Sequence, residues 1–173
     1  MEFDINKSLE ILERTPKVLE DILHGLSDDW VMHNEGGDSW SVYDILGHLI
    51  HGERTDWMER AQIILNKKND KKFIPFDRFA QFKEREGKSL QQLLSEFIEL
   101  RIDNLEKLKA LKITDTDLDK EGIHPEFGAV TLRQLLATWT IHDLTHIAQI
   151  SRVMAKQYKE AIGPWIKYFR LLQ

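Results

Sequence analysis

The stretch Thr131-Leu132-Arg133-Gln134-Leu135-Leu136-Ala137-Thr138-Trp139-Thr140-Ile141-His142-Asp143-Leu144-Thr145-His146-Ile147-Ala148-Gln149-Ile150-Ser151-Arg152-Val153-Met154-Ala155-Lys156 decides the fold. Leu135, Trp139, His142, His146, Gln149 and Val153 fall in line at helical spacing, the signature of a helix with one face turned to a core. Thr131 is a candidate N-cap. Inside the run, His142-Asp143-Leu144-Thr145-His146 sets two imidazoles one turn apart, close enough to grip one metal ion. A bare histidine pair on a core-facing stripe is costly to bury without partners. A metal explains both the position and the spacing.

A third ligand is available at His48, in Asp44-Ile45-Leu46-Gly47-His48-Leu49-Ile50-His51-Gly52-Glu53. His48 lies one turn from Ile45 and Gly52, on or beside the core-facing stripe of a second helix. Gly47 and Gly52 flank it, although glycine in a helix interior costs about 0.5–1 kcal/mol against alanine. Small residues there admit a neighbouring helix, a ligand or a metal. Three neutral imidazoles suit Zn²⁺, Ni²⁺, Fe²⁺ or Cu²⁺, and we expect one divalent ion, zinc or nickel first. Three protein ligands leave a position open for water or substrate, as in catalytic sites, whereas structural zinc sites close all four. The pair is not the H-E-x-x-H of metalloproteases, because Asp143 stands where the glutamate would be.

Outward from these runs, the periodicity predicts four long helices. The first covers about residues 6–26, with Pro16 able to kink or split it. The second runs from near Ser41 to about residue 65, with Ser39 or Ser41 as cap. Ser89 caps a third, ending near residue 111, and Thr131 the fourth. A short closing helix is expected at 165–172. No strand stands out, for want of alternating stretches and hairpin dipeptides. The expected fold is all-α, a single-domain four-helix bundle over residues 1–173 with two long connections, at about 66–88 and 112–130. The spatial order of the helices does not follow from periodicity. The first connection holds the basic run Lys67-Lys68-Asn69-Asp70-Lys71-Lys72, read as a solvated linker, and Phe73, Phe76, Phe79 and Phe82. Those rings, with Trp40 and Trp139, line a pocket or fill the core.

The composition excludes several classes. The 173 residues include no cysteine, so there is no disulfide, thiolate site or cysteine nucleophile. A formal charge of −5 with no basic face argues against a nucleic-acid partner. No apolar run reaches the ~18 residues of a membrane span, and the acidic start Met1-Glu2-Phe3-Asp4 is unlike a signal peptide. The expectation is a cytoplasmic protein with a small-molecule substrate and neither a nucleic-acid nor a membrane partner.

Residues near the candidate ligands have competing readings. His51, one turn past His48, is a ligand, a proton shuttle or, as we favour, a plain surface group. Glu53 and Asp56 are candidate general bases, with surface solvation preferred. Asp143 either orients a ligand histidine or sits on the surface, the latter preferred. His124, before Pro125, is an acid or base overhanging the metal or a turn residue, again the latter preferred.

Two of these stretches also carry a resemblance. Trp40-Ser41-Val42-Tyr43-Asp44-Ile45-Leu46-Gly47-His48-Leu49 resembles the W-S-x-x-x-x-x-x-H-L opening of the DinB/YfiT-like family. Thr131 to Leu136 together with His142 to Ile150 looks like that family's second signature. The resemblance extends over essentially the whole chain. It implies a four-helix bundle holding a divalent metal between the second and fourth helices, with His48, His142 and His146 as ligands. It also implies a homodimer, and either hydrolysis or thiol S-transfer with a low-molecular-weight thiol; it names no substrate. Against an enzyme stand two alternatives. One is a non-catalytic metal-binding or stress-response protein, in which a fourth ligand such as His51 or Glu53 closes the site. The other is an interaction module that takes up little metal.

Overall fold

A computed structural model describes residues 1–67 and 70–172. The elements in order are α1 (Ile5–Leu12), α2 (Thr15–Leu23), α3 (Asp28–Met32), α4 (Val42–Thr55), α5 (Trp57–Leu65), α6 (Ala80–Glu84), α7 (Leu90–Ala110), α8 (Asp115–Leu118), β1 (Glu121–His124), β2 (Gly128–Thr131) and α9 (Leu132–Lys156). Short 3₁₀ turns at Gly163–Tyr168 and Arg170–Leu172 close the chain. Four arms form the bundle: α1–α2, α4–α5, α7 and α9. The second arm packs on both α7 and α9. No helix among the described residues is long and apolar enough to cross a membrane.

Local chemistry explains the helix starts. Ser41, Ser89 and Thr131 each accept the amide of the third helical residue, and Asp44, Gln92 and Gln134 return the bond to the cap's own amide. These reciprocal caps satisfy amides that have no intrahelical partner. Ser39, the other candidate, instead ties the preceding turn, accepting from Glu35 N and donating to Gly36 O. The first arm is split, not bent. α1 stops at Leu12 and Pro16 sits in the first turn of α2, where its missing N–H is not needed. The second arm breaks at Asp56, whose φ of −116° and ψ of −73° depart from α-helix.

The all-α bundle holds, with one small addition where no strand stood out in the sequence. β1 and β2 form an antiparallel hairpin, Glu121 opposite Thr131 and His124 opposite Gly128, and Lys72 adds a parallel bridge to Ile123. Four-residue strands are too short to show alternation, so the pattern was invisible in sequence. Gly122 is where the hairpin lies on the bundle: a Cβ there would run into the Phe73 ring. The basic run is likewise more than a solvated linker. Lys71 Nζ donates to the carbonyls of Ile63 and Ile64 at 3.0 Å, closing the C-terminus of α5. Lys68 and Asn69 of that run lie outside the described residues.

The core comes in two clusters. One gathers Leu19, Leu23, Ile45, Leu49, Leu94, Phe97, Ile150 and Val153, and the other Leu12, Trp57, Ile64, Leu105, Leu108, Leu136 and Trp139. Along the last three arms, polar residues fall between them: Glu53 before the α4–α5 break, Arg101 between Phe97 and Leu105, and His142, Asp143 and His146 between Trp139 and Ile150. The bundle therefore carries a polar layer at mid-height, and the candidate ligands belong to it.

Candidate metal centre

His48 comes from α4; His142 and His146 come from successive turns of α9. His48 Nε2 lies 3.0 Å from His142 Nε2, which lies 3.1 Å from His146 Nε2. His48 is 8% exposed and the other two are half-buried. Burial pushes the His48 imidazolium down to about 3 and that of His142 to about 2, and lowers His146, so all three rings are neutral at physiological pH.

Protein hydrogen bonds alone do not satisfy this cluster. His146 Nδ1 donates to Gln149 Oε1 at 2.8 Å, which makes its Nε2 a lone-pair donor aimed at the other rings. Nδ1 of His48 and Nδ1 of His142 are buried without a hydrogen-bond partner among the described residues, and an ion on the Nε2 atoms would leave these two unpaired as well. A single proton on His142 Nε2 cannot serve both neighbours well, and buried unpaired polar atoms are expensive. A divalent cation accepts all three lone pairs at once. Imidazole nitrogens each about 2.0–2.1 Å from one ion lie roughly 2.8–3.4 Å apart for bond angles between square and tetrahedral; the two separations above fall in that range, and all three ligand atoms lie within 4.8 Å of one another. Among the described residues these three are the group of potential ligands able to hold a metal.

The rings open into a cavity of about 970 Å³, shared by the α4–α5 break, the loop before α4, the first connection and the hairpin. Trp40 lies 5.0 Å from the His48 ring and Phe76 5.5 Å, while Trp57 stands edge-on to His142 at 5.0 Å. Those aromatics therefore line the site; Trp139 stays in the core, and Phe79 is exposed. The loop before α4 is anchored to α9 by Glu35, which takes a two-pronged bond from Arg152 at 2.8 and 2.9 Å and an ion pair from Lys156. Hydrogen bonding from Arg152 is the main cause that holds Glu35 down at about 2.

Four surface assignments are overturned. Asp143 is fully buried, and both its oxygens are bound by Arg101, at 2.5 and 2.9 Å, so it does not lie on the surface. Glu53 is buried and accepts from Arg101 Nη2 (2.8 Å), Asn104 Nδ2 (3.0 Å) and Trp139 Nε1 (3.1 Å), which leaves it no role as ligand or base. His51 is buried with its ring 4.9 Å from that of Phe76, and is bonded through Nδ1 to Glu84 Oε1 of α6 at 3.0 Å. Asp56 is buried and lines the cavity; burial raises its carboxyl to about 6 against the opposing pull of Arg60 and His51.

His124 keeps its turn role and gains a position. Its Nδ1 accepts from Glu126 N and Phe127 N, and its ring stacks on Phe127, yet the residue also lines the cavity mouth. Burial, then the nearby Arg60, lowers its pKa. The sequence reading missed Glu35, Arg60, Arg101, Asn104 and Arg152. Arg101 had a signal: it sits four residues from both Phe97 and Leu105, on the buried face of α7, where an unpaired cation is untenable.

A family model for the DinB superfamily matches residues 11–150. Among solved structures, YfiT from Bacillus subtilis, described as a probable metal-dependent hydrolase with an unusual four-helix bundle topology, is similar with a TM-score of 0.73 at 19% identity. The alignment covers 91% of this chain and 87% of that one. TT2238, described as a four-helix bundle protein, is similar with a TM-score of 0.57 at 18% identity, covering 86% of this chain and 98% of that one. At these identities the likeness speaks to the fold. A search of curated proteins finds no match.

Proposed function

The chain belongs to the DinB superfamily, and on that premise we propose that it is a divalent-metal-dependent enzyme acting on a small molecule, with His48, His142 and His146 as the ligands. One observation carries the reading: three neutral imidazoles converge on the wall of a large cavity with no fourth protein ligand beside them among the described residues. The residues that would close the site are committed elsewhere, His51 to Glu84 and Glu53 to Arg101. Three-ligand sites with an open position are the catalytic kind. The description of YfiT as a probable metal-dependent hydrolase points the same way.

When bound, such an ion lowers the pKa of a small nucleophile at its open position: water in a hydrolase, a low-molecular-weight thiol in an S-transferase. The protein's own part is positional. Gln149 fixes the ring of His146 and its tautomer. Trp40, Trp57 and Phe76 wall the rings with apolar surface and restrict water. Substitution with Co²⁺ tests the reading, because its d–d bands report ligand number. Azide or a thiol should change the spectrum. A closed four-ligand spectrum indifferent to both makes the metal structural and removes the enzyme assignment.

A further inference from the structure

Trp57 and Asp56 stand at the break between α4 and α5, and both line the histidine cavity. Trp57 is only 4% exposed. The other indole beneath it, Trp139, donates its N–H to Glu53, and the two rings stack at 5.8 Å. Trp57 Nε1 has no partner among the described residues, and it is not one of the sealed-off orphan atoms. A buried indole N–H normally finds an acceptor. This one retains access to the cavity, and Gly52 is the reason. A Cβ at Gly52, which lines the same cavity, would sit 3.3 Å from Nε1. The glycine that weakens α4 leaves this donor uncovered.

Asp56 is the matching acceptor. It occupies the N-cap position of α5 but makes no side-chain cap bond. Its Oδ1 is sealed off against Arg60, an ion contact without hydrogen-bond geometry. Oδ2 makes no hydrogen bond among the described residues and is not one of the sealed-off atoms, so it is the oxygen open to a ligand. An unbonded carboxylate oxygen and an unbonded indole N–H, on adjacent residues, therefore share one wall.

We propose that Gly52, Asp56 and Trp57 form a substrate subsite, in which Trp57 Nε1–H donates to an acceptor oxygen and Asp56 accepts from a donor hydrogen of the same small molecule. The amide group is the simplest chemical class that presents both. The proposal rests on the cavity being a substrate site and adds to it the group recognised beside the histidines.

The test uses the full chain, ¹⁵N-labelled, with acetamide as probe. The indole cross-peak lost in Trp57→Phe identifies Trp57. Acetamide titrated into metal-free and zinc-loaded protein should shift that peak saturably in both forms and leave the Trp139 indole in place. Gly52→Ala gains helix propensity but crowds Nε1, and should weaken acetamide about 2- to 10-fold, the worth of one hydrogen bond. Asp56→Leu should weaken it over the same range with the Gly52 face intact. Acetate, which has no donor hydrogen, should bind the metal-free form more weakly than acetamide. A Trp57 peak that never moves, affinity unchanged in both variants, or acetate binding as well as acetamide overturns the proposal. Should the chain take up no zinc, the metal assignment fails and the metal-free titration still decides the subsite.

Discussion

Replacing Arg101 with methionine strips the polar layer of the cation that pairs Glu53 and Asp143 while keeping much of the side-chain volume. Arg101 donates to Leu12 O at 3.0 Å, to both oxygens of Asp143 and to Glu53, and its guanidinium lies 5.0 Å from the Phe97 ring centroid. Burial alone would depress the guanidinium; the two carboxylates more than offset this and hold it above its ordinary value. Without it, Glu53 keeps Asn104 and Trp139, but the Asp143 carboxylate keeps no hydrogen-bond donor among the described residues. An uncompensated buried charge costs about 3–5 kcal/mol, a large share of the roughly 5–15 kcal/mol that holds a domain together. Urea unfolding followed by far-UV circular dichroism, in chelator, should show Arg101→Met destabilised by that amount. Adding Asp143→Leu should recover part of it, since that removes one of the two buried carboxylates left without their cation while Glu53 remains. The layer joins α4 to α9 five residues after His48 and one after His142, so the single variant should also weaken zinc binding. A loss under about 1 kcal/mol, or a double variant less stable than the single one, would refute the assignment of Arg101 as the counter-ion on which the layer depends.

Purified without chelator, the protein should carry about one divalent ion per chain, and His48→Ala, His142→Ala or His146→Ala should lose it; equal metal content by elemental analysis in all four would contradict the site. Metal-free stability should depend on pH in a defined direction. In the fold His48 and His142 stay neutral down to about 3 and 2, whereas unfolded they take protons near 6.5. Stability should therefore be highest above about pH 6.5 and fall as pH drops below it, by up to about 1.4 kcal/mol per pH unit for each ring. Asp56 works against this, because its raised carboxyl binds a proton more readily folded than unfolded between about 4 and 6. A urea midpoint unchanged from pH 7.5 to 5.5 would contradict the net trend. Zinc should compete with the same protons, so the gain in melting temperature from zinc should shrink over that window. Finally, Gly122→Ala should cost about 1–3 kcal/mol by overpacking against Phe73, and a neutral result by thermal denaturation would show that the hairpin can lift from the bundle.

What the sequence by itself determined is local. The spacing of Leu135, Trp139, His142 and His146 is a property of one helix, so the pair and the face it presents follow from 3.6 residues per turn. The capping roles of Ser89 and Thr131 follow equally, since a cap bonds three residues ahead, whereas Ser41 is one of two candidates with Ser39. What only the tertiary structure decided involves partners far apart in the chain. His48 meets His142 across 94 positions, Arg101 meets Asp143 across 42, and Glu53 meets Trp139 across 86. Asp143 follows His142 immediately, yet successive helix residues point about 100° apart. One faces the cavity and the other the ionic layer, and no local pattern distinguishes a buried carboxylate with a distant arginine from one on the surface. The same holds for Glu53, Asp56 and His51, polar side chains on a helix that neighbours enclose on nearly every side. Burial is set by which helices cover a face, and that covering is a property of the assembled bundle.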